Sequence, residues 1–199
     1  MMNNWQWRIG IFLFDDVEVL DFAGPFEVFS VTTLGNEEKP FLVETVSETG
    51  GLVYARNGLK VQPDYNFRNM PQFDILIIPG GLGAREREIH NETVIQWISN
   101  QMKHVKMMTS VCTGALLLAK AGLLKDKKAT THWASLERFQ QEFPEVSVQH
   151  GVKFVDEGNI VTSGGISAGI HMSFHIVKRL LGVEIAQETA KRMEYDIIL

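Results

Sequence analysis

The chain has little cysteine: a single residue, Cys112, among 199. One cysteine cannot close an internal disulfide, which excludes a disulfide-held scaffold and points to a reducing cytoplasm. Basic charge is also short. Asp and Glu number 24 against 19 Lys and Arg, for a formal charge of −5. Nucleic-acid surfaces carry a clustered basic excess, so none is expected. No apolar run is long enough to span a bilayer. The opening stretch MMNNWQWRIGIFLF has no small-residue cleavage site and reads as a first strand rather than a leader. The sequence shows no repeat, no low-complexity tract, no G-x-G-x-x-G and no Walker loop, which leaves nucleotide binding without support. No stretch resembles a linker, so residues 1–199 read as one domain.

What is present alternates between strand and helix. Arg8–Phe14 (RIGIFLF), Phe41–Val46, Asp74–Ile78 (DILII), Lys106–Thr109 and Ile160–Thr162 are short and apolar. Strands apolar throughout imply a sheet covered on both faces. Helical patterns cover Val17–Val31, Thr93–Lys103, Thr113–Ala121, Trp133–Phe143, Ile166–Leu181 and Glu184–Tyr195. Asp15 and Asp16 are capping candidates for the first helix, which Gly24-Pro25 should kink or restart. Asn57-Gly58 and the stretch DEGN at 156–159 read as hairpin turns, and a short strand is expected over Ala129–Thr131. The fold class is therefore α/β: a three-layer sandwich whose mostly parallel sheet has helices on both faces. Ligands in such sheets sit beyond the carboxyl ends of the strands. Gly80-Gly81, Cys112, His132 and Gly164-Gly165 all fall at those ends.

Cys112 lies between an apolar strand and an Ala/Leu helix. A helix N-terminus favours negative charge, which would ease loss of the thiol proton, and its first N–H groups point outward unpaired. A nucleophile uses both; a small buried apolar residue would also fit the position. The glycine-rich turn PGGLG at 79–83 lets backbone approach a ligand closely. The N–H groups of Gly81 and Thr113 are candidates for an oxyanion pocket beside the sulfur, although the same glycines would serve a plain tight turn. A thiol at work needs a proton partner. Glu18 and Asp21 share a face of the first helix, and Asp21, set among apolar residues in VLDFAG, is the stronger candidate.

The stretches FLFDDVEVLDFAGPFEVF, DILIIPGGLGAR, TSVCTGALLLAKAGLL, ATTHWASLERF and VTSGGISAGIHMSFHIVKRLLG together resemble the ThiJ/PfpI superfamily. The resemblance runs over nearly the whole chain, in order. It implies a flavodoxin-like, class-I glutamine-amidotransferase-like sandwich with a cysteine on a nucleophile elbow. LDFAGP, SVCTGA and TTHW look most like the isonitrile hydratases and the sensor domains of AraC-type regulators. By that resemblance Cys112 is the nucleophile, Thr113 the residue after it that matters in the hydratases, Asp21 the hydratase aspartate and Gly81 an oxyanion donor. A homodimer is implied as well. Two departures stand out: superfamily proteases and related enzymes often carry His where this chain has Thr113, and relatives usually have an acid where it has His171.

Other motifs carry less. Gly165–Gly169 (GISAG) matches a G-x-S-x-G elbow, but no acid lies between Ser167 and the later histidines, His171 and His175. Those two are four apart and have no third ligand nearby, so no metal is expected. His132, on the cysteine's rim, is either a contact for the thiol or ligand or a locally bonded side chain. The readings that remain are a cofactor-free hydratase acting on a small-molecule isonitrile, a non-catalytic small-molecule or redox sensor, and an amidase or peptidase. A regulator reading needs a separate DNA-binding partner, since the residues up to Leu199 leave no room for such helices.

Overall fold

A computed structural model of the chain describes residues 6–35 and 37–198. Residues 1–5, read above as leading into the first strand, and Leu199 lie outside the described residues. The elements in order are β1 (Trp7–Phe12), α1 (Val19–Val31), β2 (Phe41–Ser47), β3 (Val53–Tyr54), β4 (Lys60–Val61), β5 (Tyr65–Asn66), β6 (Ile75–Ile78), α2 (Leu82–Glu86), α3 (Glu92–Gln101), β7 (Met107–Val111), α4 (Gly114–Lys120), β8 (Lys128–Ala129), α5 (Leu136–Glu142), β9 (Ser147–Val148), β10 (Phe154–Asp156), β11 (Ile160–Ser163), α6 (Ala168–Leu181) and α7 (Val183–Arg192).

The main sheet runs β10-β11-β7-β6-β1-β2-β5. Every pairing in it is parallel except β10 with β11. The order reverses between β1 and β6: the chain first steps outward to β2, then returns to the other side. That switch point is where a doubly wound sheet opens a ligand crevice. Helices α1, α6 and α7 pack together on one side, and α2, α3 and α4 on the other. The three-layer flavodoxin-like sandwich is as the apolar strands imply. All four residues of β6, Ile75–Ile78, have no exposed surface; each contributes about 1.5–3 kcal/mol through burial.

Several local expectations are corrected. Helix α1 begins at Val19, with Glu18 rather than an aspartate at its N-cap and no side-chain cap. Asp15 Oδ1 instead accepts the Tyr54 N–H, tying the β3–β4 hairpin to the end of β1, and Asp16 takes φ 57°. Helix α1 runs through Pro25 unbroken. Proline there removes one N–H partner, that of the Asp21 carbonyl, early in the helix, and packing on α6 and β2 holds the rest. The strand expected at Ala129–Thr131 lies at Lys128–Ala129 and pairs with β9 in a separate small sheet. The helix expected over Trp133–Phe143 splits into a 3-10 turn, Trp133–Ser135, and α5. Both hairpin turns are present: Asn57 and Gly58 have φ 62° and 89°, and Gly158 has φ 86°.

Ile77→Ala should destabilise the protein by about 2–5 kcal/mol. Urea unfolding should show a lower midpoint with an unchanged slope, because β6 is flanked by β1 and β7 and cannot collapse around the cavity.

Candidate active site

Strand β7 is buried along its whole length and ends at Val111. Cys112 reverses the chain into α4 with φ 56°, a left-handed conformation that costs an L-residue about 1–2 kcal/mol. Its backbone is fixed from two directions. The Cys112 N–H donates to Gly164 O at 3.0 Å, and its carbonyl accepts the Thr131 hydroxyl at 2.7 Å. The next residue, Thr113, caps α4. Strain held in place this way marks functional positions.

Asp21 lies in the first turn of α1 and has no exposed surface. Its Oδ2 accepts the Gly80 N–H at 3.0 Å and its Oδ1 the Ile166 N–H at 3.1 Å. The Cys112 thiol lies beside it and favours its charged form. Groups from the ends of β6, β7 and β11 thus converge on one carboxylate. Ile166 reaches it only by adopting φ 54°, an outlier for a β-branched residue. Gly80 is required by crowding: a Cβ there would lie 2.6 Å from Thr113 Oγ1 and 3.0 Å from Cys112 Cβ.

Burial pushes the Asp21 carboxyl up to about 7, against the Gly80 N–H that favours its charge, and the charge of Glu18 adds to the rise. Burial also pushes the Cys112 thiol well above its ordinary range, and the charge of Asp21 pushes it further. The Thr113 N–H and hydroxyl, both in reach of the sulfur, oppose this without overcoming it. The thiol that the helix N-terminus was expected to ionise is therefore a neutral thiol at rest, 7% exposed. Removal from water outweighs the end of a helix only seven residues long.

The oxyanion expectation is also revised. The Gly81 N–H is already engaged, donating to Thr113 Oγ1 at 3.0 Å. The Thr113 N–H faces the sulfur.

The sulfur opens onto a crevice of about 160 Å³ whose wall includes Glu18, Thr113, His132 and Ile166. Both of the candidate carboxylates are therefore at the site, Asp21 against the thiol and Glu18 on the wall. His132 makes the local bond that was one of its two readings, its Nδ1 accepting the Ala134 N–H at 3.3 Å, and it also lines the crevice. That bond places the proton of the neutral ring on Nε2. Burial and nearby Arg85 lower its pKa, so the ring stays neutral. Gly165 admits it, since a Cβ there would overlap the imidazole. Two lining residues that the sequence did not single out are Arg56, from the β3–β4 turn, and Arg85, from α2. The GISAG serine is elsewhere in kind: Ser167 is exposed, and only its carbonyl contacts His171 Nδ1, at 3.2 Å. His175 Nε2 bonds Asp156 at 2.7 Å, and Arg179 shares that carboxylate.

The DJ-1/PfpI family pattern matches residues 7–179. The chain belongs to the DJ-1/PfpI family. Isonitrile hydratase from Pseudomonas putida is 34% identical over 189 residues, covering 94% of this chain and 78% of that protein. The HTH-type transcriptional regulator GbdR from Pseudomonas aeruginosa is 29% identical over 190 residues, covering 96% of this chain. The chain spans 51% of that regulator's length. Among solved structures, a ThiJ/PfpI family protein from Pseudomonas syringae superposes with a TM-score of 0.85 at 26% identity, covering 98% of this chain and 77% of that one. This DJ-1/PfpI relationship agrees with the elbow at Cys112, and it spans both catalytic and regulatory relatives.

The proton on Asp21 has a measurable consequence. An unfolded Asp titrates near 3.8, and the folded one near 7. Between these values the folded chain holds a proton that the unfolded chain has lost, so stability falls as pH rises through that window. Denaturant unfolding from pH 4 to 7 should show that decline, and Asp21→Asn, which cannot titrate, should flatten it.

Proposed function

We propose that the protein is a cysteine-dependent hydratase that converts an isonitrile to an N-substituted formamide. The observation that carries this reading is a left-handed cysteine elbow beside a fully buried carboxyl that the Gly80 and Ile166 N–H groups hold in place and that titrates near 7. A neutral thiol beside a carboxylate is a proton-transfer pair. Asp21 takes the thiol proton as the sulfur attacks the terminal isonitrile carbon, then delivers that proton to the same carbon. The product is a thioimidate, R–N=CH–S–Cys112. Water adds to this carbon, the nitrogen gains a proton, and the C–S bond breaks to release R–NH–CHO and restore the thiol. In this reading the Thr113 hydroxyl, which accepts the Gly81 N–H, orients the water or the substrate, and the Thr113 N–H favours charge on the sulfur. No metal or organic cofactor enters these steps. The 34% identity to isonitrile hydratase supports the same reading.

A second reading, a ligand-sensing domain, is favoured by the 29% identity to a transcriptional regulator across 96% of the chain. Here the crevice binds a small molecule and releases it unchanged.

Incubation with cyclohexyl isocyanide, followed by mass spectrometry for the formamide, separates the two. The hydratase reading expects formamide from the intact protein, none from Cys112→Ala, and a loss of about 10²–10⁴-fold in kcat for Asp21→Asn. Formamide from neither protein, or equally from both Cys112 forms, removes it. Because the active pair is thiol with carboxylate, kcat/KM should rise with pH through about 7, the value at which Asp21 ionises.

A further inference from the structure

The chain has eight arginines. Five form ion pairs: Arg8 with Glu44, Arg87 with Asp16 and Glu88, Arg138 with Glu86 and Glu142, Arg179 with Asp156, and Arg192 with Glu37. Arg68 stands exposed on the surface. The other two, Arg56 and Arg85, are partly buried and line the crevice above Cys112. Among the described residues neither side chain makes an ion pair or donates a hydrogen bond. Arg85 Nε is buried with no acceptor at all. A guanidinium is always charged, and a buried donor left without an acceptor is costly. Glu18 lines the same wall yet pairs with neither arginine, so the crevice carries two cationic forks against one acid.

We infer that Arg56 and Arg85 form an anion subsite, and that the molecule bound at Cys112 carries a carboxylate. This inference builds on the hydratase reading by naming its substrate class: small isonitriles with a carboxylate at the far end. Two planar forks set close to a small cavity suit a planar, two-oxygen anion, which accepts paired N–H bonds. The subsite also sorts substrates. A carboxylate gives the two guanidinium groups an acceptor in the crevice that a neutral alkyl isonitrile lacks. The Nε2–H of His132, neutral and on the same wall, offers a further donor. The two arginines come from separate elements, the β3–β4 turn and α2, so both must be in place for the fork to close.

The test has a binding arm and a turnover arm. In the first, NMR titration at pH 7 and low salt follows the Thr113 amide with butyrate and with butyramide, its neutral isostere. Butyrate should bind about tenfold more tightly, and Arg56→Gln and Arg85→Gln should each bring the two affinities several-fold closer. Equal affinities, no butyrate-dependent change at Thr113, or a ratio unchanged in both variants overturns the subsite. In the second arm, kcat/KM is compared for 5-isocyanopentanoate and n-pentyl isocyanide. The carboxylate should be preferred about tenfold, and the arginine variants should lose that preference, read as the ratio of the two kcat/KM values within each variant. Preferential butyrate binding without turnover of any isonitrile keeps the anion subsite and removes the hydratase reading. Turnover of both isonitriles with no carboxylate preference in either arm does the reverse.

Discussion

The buried carboxylate of Asp21 is the point on which the site depends. It accepts the N–H of Gly80 after β6 and the N–H of Ile166 after β11, and the thiol of Cys112 after β7 lies beside it. A carboxylate wholly removed from water is tolerated only when its lone pairs are taken up. Two left-handed residues, Cys112 and Ile166, are held in that conformation around it. The convergence also places Asp21 at the sheet's switch point, where β1 and β6 diverge and the crevice opens. Fold and chemistry are therefore joined through one side chain.

The same burial decides how the pair behaves. Water exclusion raises both members; the charge of Asp21 opposes ionisation of the thiol, whereas the thiol favours the carboxylate. What results is a carboxyl that titrates near neutral pH beside a protonated thiol rather than a standing thiolate. Such a pair suits addition across a carbon that must receive both sulfur and hydrogen. It is less suited to a resting nucleophile that waits ionised for an amide.

Much of this was legible in the residues. The corner at Cys112 showed itself because an apolar strand runs almost straight into an Ala/Leu helix, with only Cys112 and Thr113 between them in the structure. Asp21 was legible as a lone acid inside VLDFAG, an oddity that burial explains. The hairpins at Asn57-Gly58 and DEGN followed from turn chemistry. Other features depended on distant packing. The protonation of Cys112 is set by burial that no local pattern reveals. The Gly81 N–H is taken by Thr113, 32 residues further on. Asp15 looked like a helix cap because capping is a local rule, but its carboxylate is claimed by Tyr54, 39 residues away. Strand β9 has only two residues and leaves no periodic signal. Arg56 and Arg85 look like ordinary surface cations until the chain folds them onto the wall of the crevice at Cys112.

Arg56 sits on a hairpin whose two strands form a sheet of their own, outside the seven-stranded core. It is anchored to the rest by a few main-chain bonds, such as the Arg56 N–H to Val17 O at 2.9 Å. The hairpin that carries Arg56 can therefore change in length or sequence without disturbing Asp21 and Cys112, whose places are fixed by the ends of the central strands.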